Sequence, residues 1–127
     1  MQAEALCRAA VDALEDIKAE DIVVLDVRKM SSLFDYIIVA SAESTRQTRA
    51  LVGNLQDKIK ARGGQILGVE GESSGEWVLV DLGDVVVHVM QPAIRAYYNL
   101  EQLWGGETPH PKSALMHEEG SARRTLA

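Results

Sequence analysis

The run GEWVLVDLGDVVVHVM, from Gly75 to Met90, constrains the fold more than any other stretch of the chain. Two β-branched, apolar segments flank an acid–glycine turn, the pattern of an antiparallel hairpin. Side chains alternate across a strand, so each segment feeds two faces. With Leu82 and Gly83 as a two-residue turn, Val80 faces Val85, Leu79 faces Val86, Val78 faces Val87, Trp77 faces His88, and Asp81 meets Asp84. One face is then all valine: Val78, Val80, Val85, Val87 and Val89. The other holds Trp77, Leu79, Val86, His88 and Met90, with Leu82 at the tip. A slip in register would change these pairs. The valine face demands a core. The mixed face is either covered by helices, as in a buried α/β sheet, or partly kept for a partner, since aromatics and methionine are enriched at interfaces.

The flanking sequence supplies the rest of a sheet and its cover. Ala5, Leu6, Ala9, Ala10, Ala13, Leu14 and Ile17 fall at helical spacing, which predicts a helix over about 2–18. Asp21–Val27 and Asp35–Ser41 are short β-branched runs and read as strands. Ser44 suits a helix N-cap, Leu51, Leu55 and Ile59 form one stripe, and Gly63–Gly64 marks the end of that helix. Gln65–Val69 reads as a third strand and Gly71–Gly75 as a loop. Pro92 suits the first turn of a last helix, which runs through Trp104 to Gly105–Gly106. On this last helix Ala93, Tyr97, Leu100 and Trp104 form the expected inward stripe, leaving Arg95 and Tyr98 outward. The order is α-β-β-α-β-β-β-α. It predicts an α/β fold with a single mixed β-sheet of about five strands. From Glu107 the periodicity ends, so the expected division is a domain over 1–106 and a flexible tail over 107–127.

A chain of 127 residues can build one core without a metal or disulfide. Cys7 is the single cysteine, which excludes an internal disulfide and suits a reducing compartment. The start, MQAEALCRAA, lacks a basic leader, and no segment approaches the ~20 apolar residues of a membrane helix. A cytoplasmic protein is expected. The formal charge is −6, and its placement matters more than its sum. From Gly63 to Ile94 there is no lysine or arginine, against five acids: Glu70, Glu72, Glu76, Asp81 and Asp84. A surface that neutralises phosphates needs clustered bases, so this window suits a basic protein rather than nucleic acid. Acids that only keep the chain soluble are the plainer explanation.

Catalytic chemistry is hard to find. His88 sits among apolar neighbours, and His110 and His117 lie in the tail, with no metal-ligand spacing. No glycine-rich phosphate loop follows a strand. Asp81 and Asp84 are a conceivable carboxylate pair for a divalent metal, but acids are ordinary turn residues. Ser41–Thr45, with Arg46 and Arg49 nearby, is the best small-anion candidate, and a helix cap explains Ser44 equally well. The expectation is no catalytic residue, no metal and no cofactor. The rival readings are a minimal nucleotidyltransferase-like enzyme using Ser41–Arg49, and an RNA-binding module using the thinly spread bases of Arg28–Lys29 and Arg46–Arg62.

Three segments together, FDYIIVASAESTRQTRALV, EGESSGEWVLVDLGDVVVHVM and IRAYYNLEQLW, resemble the ribosomal silencing factors, also called Iojap-like proteins. The resemblance runs from about Leu6 to Trp104. It implies a mixed sheet with helices, similar in outline to nucleotidyltransferases but without their catalytic carboxylates. It implies a non-enzymatic protein that binds the large ribosomal subunit through its fourteenth ribosomal protein, a basic partner, and blocks joining of the small subunit. The partner-binding residues it points to are Trp77, Leu79, Asp81, Leu82, His88, Met90, Arg95 and Tyr98, with Trp77, Leu82 and Tyr98 foremost. A symmetric homodimer of the free protein would hide the same face.

Overall fold

The computed structural model describes residues 1–103. The expectations for Trp104 and for the tail over 107–127 lie outside the described residues. Helix α1 (Ala3–Asp16) leads into strands β1 (Glu20–Asp26) and β2 (Tyr36–Ser41). Helix α2 (Thr45–Ala61) follows, then β3 (Gly68–Glu70), β4 (Trp77–Asp81) and β5 (Val85–Met90). Two short helices, α3 (Pro92–Tyr98) and α4 (Leu100–Leu103), close the described chain. The strands form one five-stranded sheet in the order β1-β2-β5-β4-β3. Among the described strands only β2 and β5 run parallel. The α/β class, the mixed sheet and the element order expected from the sequence are all present.

Helix α2 shows why its sequence stops and starts where it does. Ser44 Oγ accepts a hydrogen bond from the Gln47 amide at 3.1 Å, and Gln47 Oε1 reaches back to the Glu43 amide at 2.7 Å. This reciprocal arrangement satisfies the donors exposed at a helix start. At the other end Gly63 takes φ +90, its amide bonds the Lys60 carbonyl, and the Gly64 amide bonds the Ile59 carbonyl. That is a Schellman closure, which needs a left-handed residue where glycine stands.

The main core lies between the sheet and the α1–α2 pair. It gathers Leu6, Leu14, Leu51, Leu55 and Ile59 from the helices against Val78, Val80, Val85, Val87 and Val89. The all-valine face is therefore the core face. Ala9, Ala10 and Ala13 are fully buried, and such small side chains let α1 approach closely. Asn54 Nδ2 donates to the Ala13 carbonyl, and Lys58 pairs with Asp16 at 2.6 Å, which clasps the two helices. Burial of the large apolar set supplies the driving force, at about 1.5–3 kcal/mol for each large side chain removed from water.

Two expectations are corrected. The hairpin turns on Gly83 and Asp84, not on Leu82 and Gly83. Trp77 pairs with Met90, Val78 with Val89, Leu79 with His88, and Val80 with Val87. Gly83 takes φ +99, and the Leu82 amide bonds the Val85 carbonyl. A glycine first in the turn, with an ordinary residue second, fits the twist of a hairpin better than the reverse. The pairs differ from those expected by two residues, an even shift, so every strand side chain keeps its face, and only Leu82, expected at the tip of the mixed face, turns to the core. The last helix is also interrupted. Asn99 adopts the left-handed conformation (φ 46), so α3 ends at Tyr98. Ala93 and Tyr97 face solvent, the latter 81% exposed, instead of forming an inward stripe. Ile94 and Leu100 make the inward contacts.

Candidate partner-binding site

Among the described residues, the second face of the sheet is covered at one end only. Helices α3 and α4 lay Ile94 and Leu100 over a smaller core of Leu25, Val27, Ile37, Val39 and Met90, bordered by Phe34 and Trp77. Beyond them the face stays half-open. Leu79, Val86 and His88 are partly exposed there, and they floor a groove of about 540 Å³. The β1–β2 loop walls one side with Leu33 and Phe34, Leu100 closes an end, and Glu70 and Asp81 stand on the rim. The parallel β2–β5 register sets Ile37 beside Val86 and Val39 beside His88, which extends the apolar floor into β2.

Trp77 and His88 meet diagonally across the hairpin. Trp77 Nε1 donates to His88 Nδ1 at 2.9 Å. Indole is a donor only, so the imidazole nitrogen it meets must be an acceptor. Burial of His88 pushes its pKa down to about 4, which keeps the ring neutral near pH 7. Tyr98 then stacks on the indole, with centroids 4.7 Å apart at a tilt of 48°. Tyr97 meets Tyr98 edge to face at 4.9 Å. The result is an aromatic cluster at the end of the groove, with Tyr98 still 49% exposed.

The residues expected at the site divide into two groups. Trp77, Leu79, Asp81, His88 and Tyr98 are partly or well exposed on this face. Leu82 is not on it: it is 5% exposed and packs into the main core on the helix side. Even spacing from Val78 and Val80 directs it there. Met90 is fully buried beneath α3 and supports the face from below. Arg95 turns back to the sheet instead of outward, donating to the Asp21 carbonyl at 2.6 Å and to Ser41 Oγ at 2.8 Å. Leu33 and Phe34 are not among the residues expected here, and Leu100 is expected only as part of the inward stripe, where it does pack. Their signal was weak: Leu33 and Phe34 lie in a connection without periodicity, and no local pattern announces that β2 neighbours β5.

The other sequence candidates become structural. Asp81 Oδ1 accepts from the Gly83 amide at 2.9 Å and so caps the turn. Ser41 and Ser44 are engaged by Arg95 and by the Gln47 amide, and Gln47 Nε2 also ties the α2 start to the Ile17 and Lys18 carbonyls. The start of α2 is thus filled by the chain's own groups. Among the described residues no cluster of three or more His, Cys, Asp or Glu side chains is placed to hold a metal. Among them too, no helix is long and apolar enough to cross a membrane.

Comparison with known proteins bears on this arrangement. The family described as ribosomal silencing factor during starvation matches residues 1–126. The ribosomal silencing factor RsfS of Chromobacterium violaceum is 54% identical over 109 residues, covering 86% of this chain and 89% of that protein. RsfS of Bacillus subtilis is 41% identical over 105 residues, covering 83% of this chain and 89% of that protein. A crystal structure of a Chromobacterium violaceum protein, 54% identical, superposes with a TM-score of 0.82 over 86% of this chain and 91% of that one. These matches cover most of the chain and share its fold, and the chain belongs to the ribosomal silencing factor family.

Proposed function

We propose that the chain silences translation by seating the groove face of its sheet on the large ribosomal subunit, where it sterically blocks joining of the small subunit. The contact is a basic protein of the subunit interface, the fourteenth ribosomal protein. One observation carries this reading. The only sheet face that the described helices leave half-open bears an apolar groove with an acidic rim, and the strands β3 to β5 that supply most of its floor and both rim acids lie in a window from Gly63 to Ile94 that lacks lysine and arginine. Phosphates are repelled by such a surface, while a basic protein is attracted. Trp77, Leu79 and Tyr98 supply apolar and aromatic contact, and Asp81 supplies rim charge. Leu82 supports the face from behind, and Met90 and Arg95 hold α3 upon it. No covalent step and no cofactor is involved, and the protein acts in the cytoplasm. In the free protein a second copy would cover the same face, so a dimer and the ribosome-bound form exclude one another.

The test is co-sedimentation of the purified protein with large subunits from the same organism, followed by addition of small subunits. Wild type is expected to pellet with the large subunits and to prevent assembly of intact ribosomes. Trp77→Ala is expected to lose about 2 kcal/mol or more of binding. If wild type stays in the supernatant over a range of salt, or folded Trp77→Ala pellets as wild type does, this face is not the ribosomal contact.

A further inference from the structure

The groove has an apolar floor, yet one ring in that floor carries a proton. His88 Nδ1 is occupied by the Trp77 indole N–H at 2.9 Å. An imidazole that accepts at Nδ1 is not an imidazolium, and it must carry its proton on Nε2. Among the described residues no acceptor meets Nε2, and the atom is not sealed from solvent. His88 lines the groove. Its neighbours there, Leu79, Val86 and Ile37, have no polar side-chain atom to receive the proton. The polar groups at hand are the rim carboxylates of Glu70 and Asp81, and Asp81 already caps its own turn.

We infer that His88 reads the partner: its Nε2–H, held as a donor by Trp77, hydrogen-bonds a main-chain carbonyl of a basic protein segment that seats an apolar side chain between Leu33, Leu79 and Val86. This rests on the groove being the ribosomal contact proposed above. The acceptor is a neutral carbonyl and not a carboxylate or phosphate, because the rim is acidic and a neutral imidazole brings no countercharge. The wall residue Leu33, 78% exposed, continues the same surface outward and gives the seated side chain its second apolar neighbour. The Trp77–His88 bond therefore has two consequences. It fixes the indole on which Tyr98 stacks, and it selects the tautomer that faces the partner. A protein that instead presented an acceptor here would leave its partner's carbonyl unpaired on binding.

Two substitutions separate these roles. His88→Asn keeps an acceptor near Nδ1 for Trp77 but offers nothing at Nε2. His88→Gln places an amide N–H near Nε2. Binding of each to purified large subunits is compared with wild type and Trp77→Ala. About a tenfold loss is expected for His88→Asn, and a loss of about threefold or less for His88→Gln. Independently, a long-range proton–nitrogen spectrum of the free wild-type protein should show His88 protonated on Nε2. A proton on Nδ1, or His88→Asn binding as wild type while Trp77→Ala fails to bind, overturns the inference and leaves the ribosomal contact standing. Failure of wild type itself to bind overturns both.

Discussion

At the scale of single residues, neighbours in sequence act through different free energies. Leu82 is buried in the main core, so Leu82→Ala should destabilise the fold by about 2–4 kcal/mol. Its folded fraction should still bind, whereas Trp77→Ala, which also gives up packing on the smaller core and the bond to His88, should lose binding beyond what its loss of stability explains. Urea titration beside a binding isotherm distinguishes the two. His88 adds a dependence on pH. The unfolded ring takes up its proton near pH 6.5, the folded ring only near 4. Its contribution is complete above pH 6.5 and falls as pH drops to 4, levelling off at a loss of about 3 kcal/mol. Burial raises the Asp35 pKa, and the hydrogen bond with Glu43 raises that of Glu20, so both work in the opposite sense on acidification. The check is therefore the difference in urea midpoint between wild type and His88→Asn across pH 4–7, which should vanish as a pH effect above 6.5. If both proteins lose stability in parallel, His88 is not the titrating group. Which side of the sheet each hairpin residue faces was legible from alternation, because parity survives a two-residue slip. The fate of Leu82 was not, because a residue placed in the turn has no parity to read.

At the scale of elements, the groove depends on where β4 begins and on how α3 is held. Gly71 has φ +90, and a Cβ there would come 2.1 Å from the Trp77 carbonyl oxygen. Backbone cannot give way as a side-chain end can. Gly71→Ala should cost about 2 kcal/mol or more and disturb Trp77, measured as a lowered melting temperature with a shifted indole resonance. A native resonance with unchanged melting would show that the loop relaxes freely. Arg95 holds α3 through the Asp21 carbonyl and Ser41 Oγ, across a long stretch of sequence. Arg95→Ala should speed amide exchange in α3 and leave α1 and α2 untouched, while weakening binding through Tyr98. Periodicity revealed α1 and α2 because each buries a continuous stripe. It misplaced the α3 stripe because Asn99 breaks the helix after two turns, and asparagine's tolerance of the left-handed region leaves no proline or glycine to warn of it. The sheet order was equally hidden. The parallel pairing of β2 with β5 is set by how α2 crosses over the sheet, and no short window of sequence contains it.

At the scale of the whole molecule, charge is segregated. The base-free window from Gly63 to Ile94 includes all of β3, β4 and β5, so it borders the groove. The lysines and arginines of α2 and its C-cap lie on the helix side of the sheet and pair in part with α1, as Lys58 does with Asp16 and the capping Arg62 with Asp12 at 3.6 Å. A surface of one sign acts first on encounter: it raises the rate at which a basic partner arrives, more than it tightens the final complex. Asp81 allows a clean test, because Asp81→Asn keeps the oxygen that accepts from the Gly83 amide and removes only the charge. Association with large subunits, followed by stopped-flow, should slow severalfold at low salt with dissociation little changed. The difference should shrink as salt rises, since screening shortens from about 10 Å at 0.1 M to about 3 Å at 1 M. Trp77→Ala should show the complementary signature, faster dissociation at every salt concentration. An Asp81→Asn effect found in dissociation and indifferent to salt would mean that Asp81 forms a desolvated pair with a partner lysine or arginine. The acidic rim would then belong to the closed interface itself, and the groove would be deeper in the complex than its open side in the free protein suggests.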